Sequence, residues 1–168
     1  SDTKFLKTLP KREVICGYGE ILKHSLIANK KFYGFLNKNS KKIFSLSSPF
    51  IDKAIYESCK IKKKVVEKDE REIGLRKILN FGHTLGHAIE TYCLNNSNKT
   101  TLLHGEAIAI GMITEAFLAT QLCGLDLAVA EDIKKVFLGI FPKSSFTNED
   151  LEAIMDLLRY DKKTVMGK

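Results

Sequence analysis

No stretch of this sequence approaches the roughly 20 consecutive apolar residues that a membrane-spanning helix needs, and no signal peptide opens it. The expected location is therefore the cytoplasm. The four cysteines, Cys16, Cys59, Cys93 and Cys123, form no CxxC pair. That argues against a zinc knuckle or a disulfide framework and for reduced thiols. No GxGxxG follows a strand pattern, no P-loop is present and no βαβ unit can be traced, so the chain carries no recognisable dinucleotide site. Strand-type alternation and internal repeats are missing throughout. Basic residues are not interleaved with aromatics and no nucleic-acid motif occurs, which sets nucleic acid aside as a partner. Histidine is scarce as well: there are four.

What is present is ordinary in bulk and unusual in detail. At 168 residues, 44% apolar and 28% charged, the chain is long enough for one soluble domain, residues 1–168, with a substantial core. The net charge of +7 has two readings. Runs such as Lys60, Lys62, Lys63 and Lys64 fit a solvated helix face, and they also fit a small phosphorylated or carboxylated partner.

Apolar residues keep helical spacing almost everywhere, which predicts an all-α fold. Ile15, Leu22, Leu26, Phe32, Phe35 and Leu36 predict helix from Arg12 to about Leu36, followed by a polar break from Asn37 to Ser48. Ser48 and Pro49 form a cap and first-turn pair that opens a helix to about Val66. Further helices are expected over about Leu75–Leu94, Gly105–Cys123 and Leu127–Leu138, and from Asn148 or Glu149 to Tyr160. "NNSNKTT" reads as a loop.

Four features stand out. On one continuous helix at about 100° per residue, Arg76, Asn80, His83 and His87 would fall within a sector of roughly 60°. A wet helix face gives the plain reading, yet this chain fills such faces with Lys and Glu. Gly82 and Gly86 cost about 1 kcal/mol each in helix propensity, which makes sense where another helix or a ligand comes close. Second, Lys62 shares a line with Ile51, Ile55, Cys59 and Val66, so it either snorkels to solvent or points into a cleft and meets an anion. Third, "GYGEILKH" spaces Glu20 one turn from Lys23 and His24, as in a surface ion pair. Fourth, His104 stands at the mouth of the apolar helix in "LLHGEAIAIGM". Together these supply one carboxylate and two to four imidazoles, the donor set of a catalytic zinc site with an open position.

The segments "LPKREVICGYGEILKHSLI", "KKVVEKDEREIGLRKILNFGHTLGHAIE", "LLHGEAIAIGM" and "DKK" resemble, in family order, the helical C-terminal domain of the 3-dehydroquinate synthases. The resemblance implies that Glu20, His83 and His104 are metal ligands, for Zn2+ or Co2+. It implies substrate contacts from Lys23, Lys62, Arg76, Asn80 and His87, and a phosphate contact from one of Lys162 and Lys163. His87, Lys62, Arg76 and Asn80 would carry the catalytic work, and His24 has no assigned role. It further implies that NAD+ is bound mainly by an N-terminal Rossmann-like domain outside this chain, that the parent enzyme is a homodimer, and that the chain alone is inactive. The family's reaction converts 3-deoxy-D-arabino-heptulosonate 7-phosphate to 3-dehydroquinate and phosphate, a carbon–oxygen lyase step of the shikimate pathway. Three rivals stand beside it: another sugar-phosphate cyclase making an inosose or a valiolone, a metal-dependent polyol dehydrogenase of the glycerol dehydrogenase type, and a helical binding module without catalysis.

Overall fold

The computed structural model describes residues 3–166, and of 160–166 the backbone alone. Among the described residues there are α-helices and 3-10 turns and no strand, which is the expected all-α class. None of these helices is long and apolar enough to cross a membrane. The four cysteines are free thiols. Two compact units divide the chain, Ser1–Phe81 and Gly82–Lys168.

The first unit holds α1 (Lys11–Ala28), α2 (Lys30–Phe44) and α3 (Phe50–Lys68), with 3-10 turns at Thr3–Thr8 and Leu75–Asn80. The helix expected from Arg12 to about Leu36 is two helices. Asn29 adopts an extended backbone, and its side chain accepts the Phe32 N–H at 3.0 Å. An asparagine in that role satisfies an orphan donor of a new first turn, so it ends α1 and starts α2. From there α2 runs on to Phe44, through the first part of the stretch expected to be a polar break, and the break itself is confined to residues 45–49. The reason is that Phe32, Leu36 and Ile43 return to one buried face. Leu22 and Leu36 are fully buried, each worth about 1.5–3 kcal/mol of apolar transfer.

The entry to α3 also differs in detail from the sequence reading. Pro49 precedes the helix behind a cis peptide bond, and the Ser48 hydroxyl goes to the Asp52 carboxylate at 2.7 Å, not to a backbone N–H. The buried face of α3 is Ile51, Ala54, Ser58 and Val65. Cys59 and Lys62 are exposed, so the apolar line expected through them is turned toward solvent at that point.

The second unit holds α4 (His83–Asn95), α5 (His104–Leu122), α6 (Leu127–Leu138) and α7 (Asn148–Met166). Its core gathers Ala88, Ile89, Cys93, Leu102, Ala107 and Ile154. The apolar α5 packs against α4 and α6, and α4 packs also against α7. A carboxylate ties the N-terminus of α7 to its surroundings. Asp150 accepts the Thr147 N–H at 2.7 Å, the Tyr92 hydroxyl of α4 and the Lys99 ammonium from the loop before α5.

Glycine sets the spacing of α4 and α5. A Cβ at Gly111 would lie 2.0 Å from the Gly82 carbonyl oxygen, and one at Gly86 would lie 2.6 Å from Ile108 Cδ1. Backbone approach of this kind admits no side chain. The helix propensity lost at Gly86 thus coincides with close packing against another helix.

Gly82 does more than pack. The single helix expected from about Leu75 to Leu94 is broken: Leu75–Asn80 is a 3-10 turn, Gly82 takes φ +77°, and α4 starts afresh at His83. A left-handed residue cannot propagate a right-handed helix. The four-residue polar stripe is therefore not the face of one helix: the backbone breaks between Asn80 and His83, with Arg76 and Asn80 in the first unit and His83 and His87 in the second.

Candidate metal centre

In the second unit, His83 is the first residue of α4, His87 stands one turn later, and His104 is the first residue of α5. The close α4–α5 packing brings the three rings together. Their centroids lie 5.2 Å apart for His83–His87, 5.4 Å for His83–His104 and 5.5 Å for His87–His104. Each ring offers a nitrogen, and the three nitrogens lie within 4.8 Å of one another. His83 is half-buried while His87 and His104 are exposed, so the donors face solvent on one side. A set of imidazoles at this separation suits a borderline-soft divalent cation with a position left open.

Two carboxylates support the cluster, and the sequence reading named neither. Glu115 of α5 accepts the Gly82 N–H at 2.8 Å. Burial pushes its carboxyl above the ordinary range, opposed by the backbone N–H groups of Gly82 and Leu85. It thereby caps the first turn of α4, which has no side-chain cap of its own. Glu90 Oε2 lies 3.0 Å from His104 Nδ1. A sequence signal for Glu90 did exist: His83, His87 and Glu90 follow one another at four and three residues, along one face. A pocket of about 280 Å³ adjoins, lined by Thr84, His87, Ala88 and Thr91 of α4 and Leu157 and Leu158 of α7. His87 is the one histidine of the three that lines it.

Of the remaining expected residues, Glu20, Lys23, His24, Lys62, Arg76 and Asn80 lie in the first unit. Glu20 accepts the Lys23 ammonium at 2.8 Å. This is not the surface pair that the spacing suggested, because Lys23 is only 2% exposed. Burial lowers the Lys23 pKa; the Glu20 hydrogen bond and charge oppose that, and the charge of Lys62 adds to it. Lys62 itself is exposed on α3. Neighbouring His24 is buried, with Nδ1 2.7 Å from the Ser58 hydroxyl. Arg76 and Asn80 share the carboxylate of Glu72, at 3.6 Å from Arg76 Nε and 2.9 Å from Asn80 Nδ2. Asp69 fixes their turn by accepting the N–H groups of Ile73, Gly74 and Arg76. The side chains of Lys162 and Lys163 lie outside the described residues.

Comparison with known proteins identifies the family. The model of the family "3-dehydroquinate synthase C-terminal" matches residues 17–164. The 3-dehydroquinate synthase of Pelagibacter ubique is 51% identical over 97% of this chain and 45% of that protein. That of Thermodesulfovibrio yellowstonii is 41% identical over 99% of this chain and 46% of the relative. The chain thus spans somewhat under half the length of these curated relatives. Among solved structures, a 2-epi-5-epi-valiolone synthase from Streptomyces hygroscopicus, with NAD+ and Zn2+ bound, superposes with a TM-score of 0.76. It is 23% identical and is matched over 95% of this chain and 44% of its own, a likeness of fold. By the family model and by identity to the curated relatives, this chain belongs to the 3-dehydroquinate synthase family, as its C-terminal domain.

Proposed function

We propose that this chain supplies the metal- and substrate-binding half of a 3-dehydroquinate synthase. The proposed reaction takes 3-deoxy-D-arabino-heptulosonate 7-phosphate to 3-dehydroquinate and phosphate, using NAD+ and a divalent metal. The observation that carries the reading is the convergence of His83, His87 and His104 from two helices onto one solvent-facing point. His83 and His104 are the metal ligands of this reading, and Glu20 joins them on the strength of the family resemblance of "GYGEILKH". A divalent cation there supplies Lewis-acid chemistry to a substrate hydroxyl that is being oxidised.

The chain's own residues do the rest. His87, beside the cluster and on the wall of the adjoining pocket, relays a proton from that hydroxyl. Arg76 offers a planar fork to a carboxylate, and Asn80, tied to the same Glu72, fixes its orientation. Lys62 and Lys23 add cationic contacts, and one of Lys162 and Lys163 meets the phosphate. NAD+ belongs to a domain outside these residues, and the working enzyme is a homodimer in the cytoplasm.

The test compares this chain with a protein of the relatives' full length that contains it, following phosphate release with NAD+ and Zn2+ present. The longer protein turns over, and its His104→Ala variant loses metal and activity together, because a site stripped of a ligand holds zinc poorly. The 168-residue chain alone stays at background. Turnover by the short chain, or full metal retention in His104→Ala, would overturn the reading.

A further inference from the structure

Glu90 lies outside the trio of nitrogens, yet it touches one of the three rings. Its Oε2 sits 3.0 Å from Nδ1 of His104. The two residues come from different helices, α4 and α5. His104 is 45% exposed at its side chain and Glu90 32%. A pair so open to water contributes at most about 1 kcal/mol to folding, so stability gives little reason for it. Chemistry gives a better one. A neutral imidazole carries one N–H and one lone pair, and a carboxylate can only accept. The hydrogen bond therefore places the proton on Nδ1 and leaves the Nε2 lone pair for a cation.

We propose that Glu90 is a positioning residue of the metal centre, holding His104 in the Nδ1–H tautomer with Nε2 directed at the point shared with His83 and His87. This rests on reading the histidine cluster as a metal centre. An imidazole that ligates a metal through one nitrogen commonly gives its other N–H to a carboxylate, which fixes the ring and raises its basicity. Glu90 meets that description without being a ligand. It also stands on the same face of α4 as His83 and His87, so one helix supplies two donors and the anchor for a third.

The experiment uses a protein of the relatives' full length that contains these residues, and measures two things besides activity. Zn2+ affinity is obtained by competition with a chromophoric chelator, and ligand geometry from the visible spectrum of the Co2+-substituted protein. Glu90→Ala should weaken Zn2+ binding by about 10–100-fold while keeping one metal per site and an unchanged melting temperature of the metal-free protein. Glu90→Gln, whose amide oxygen still accepts the Nδ1–H, should recover most of that affinity with the Co2+ bands in place. Unchanged affinity in Glu90→Ala would overturn the proposal. So would displaced Co2+ bands in Glu90→Gln, which would make Glu90 a direct ligand. His104→Ala separates the two readings: if it keeps its metal, the metal-centre reading has failed, whatever Glu90 does.

Discussion

Helices α1 and α4 are equipped alike and packed differently. Each carries a carboxylate and basic groups at spacings of three and four: Glu20, Lys23 and His24 on α1, and His83, His87 and Glu90 on α4. On α1 the basic groups are turned inward. Lys23 and His24 are buried, with Glu20 and Ser58 as hydrogen-bond partners. On α4 the histidines reach solvent, gathered with His104 so that their nitrogens face one another. Spacing alone puts residues on a common face, and packing then decides what that face does. Basic groups on an inward face take partners inside the fold; imidazoles on an outward one keep lone pairs to offer.

The largest expected effect comes from the glycines that set this packing. Gly111→Ala drives a methyl group against the Gly82 carbonyl oxygen, where no flexible side chain can yield. The cost should be about 3 kcal/mol or more, seen as a lower urea midpoint, with metal affinity falling in parallel. Gly17→Ala on α1 meets nothing within 4 Å and should stabilise by about 0.4–1 kcal/mol. Equal effects from the two substitutions would dissolve the contrast between the helices.

His24→Ala sharpens it from the other side. Losing the imidazole from Ser58 in a buried setting should lower stability by about 1–3 kcal/mol, read from chemical denaturation. Metal stoichiometry should stay as in the parent, since His24 serves α1 and α3 and not the cluster. Loss of metal in this variant would assign the wrong histidines to the site.

Least in size, and confined to a pH window, is the effect at Asp150. The Lys99 hydrogen bond, then those of Tyr92 and the Thr147 N–H, hold its carboxyl well below the usual carboxylate range. A folded pKa lowered in this way stabilises fully above the unfolded value near ~3.9. The contribution is lost as pH falls through the folded value. Asp150→Asn should therefore melt lower than its parent at neutral pH, and the gap should close as pH falls below about 4. A gap that holds constant down to pH ~2 would show that the charge of Asp150 is not what matters.

Several elements were legible in the sequence because their signals are local. α6 lies where its apolar spacing put it, at Leu127–Leu138, and α5 starts at His104, one residue before the expected Gly105. The need for a close neighbour at Gly86 was readable as well, from lost helix propensity, whereas Gly82 lies outside the helix at positive φ. Other features depend on choices that a hydrophobic pattern does not record. Both Asn29 and Gly82 interrupt runs whose apolar spacing continues across them, one by capping and one by taking a positive φ. Continuous periodicity therefore concealed two helix boundaries, and with the second it produced a polar stripe that the backbone divides. At the site, His83 and His87 were visible as a pair. That Glu90 reaches His104, and that Glu115 caps α4, depends on how α4 and α5 meet, which no one-helix pattern contains.

The contact between Gly82 and Gly111 bears on heat as well as on shape. Side chains hop between rotamers, and an interface built from them loosens as temperature rises. Glycine has no rotamers to populate and no side-chain entropy to lose. Where peptide groups rest on one another, the separation of α4 and α5 is set by atoms with little thermal latitude. The distance between His83 and His104 should thus change little between cold and warm, keeping the same geometry over a range of temperatures at which the surrounding core softens.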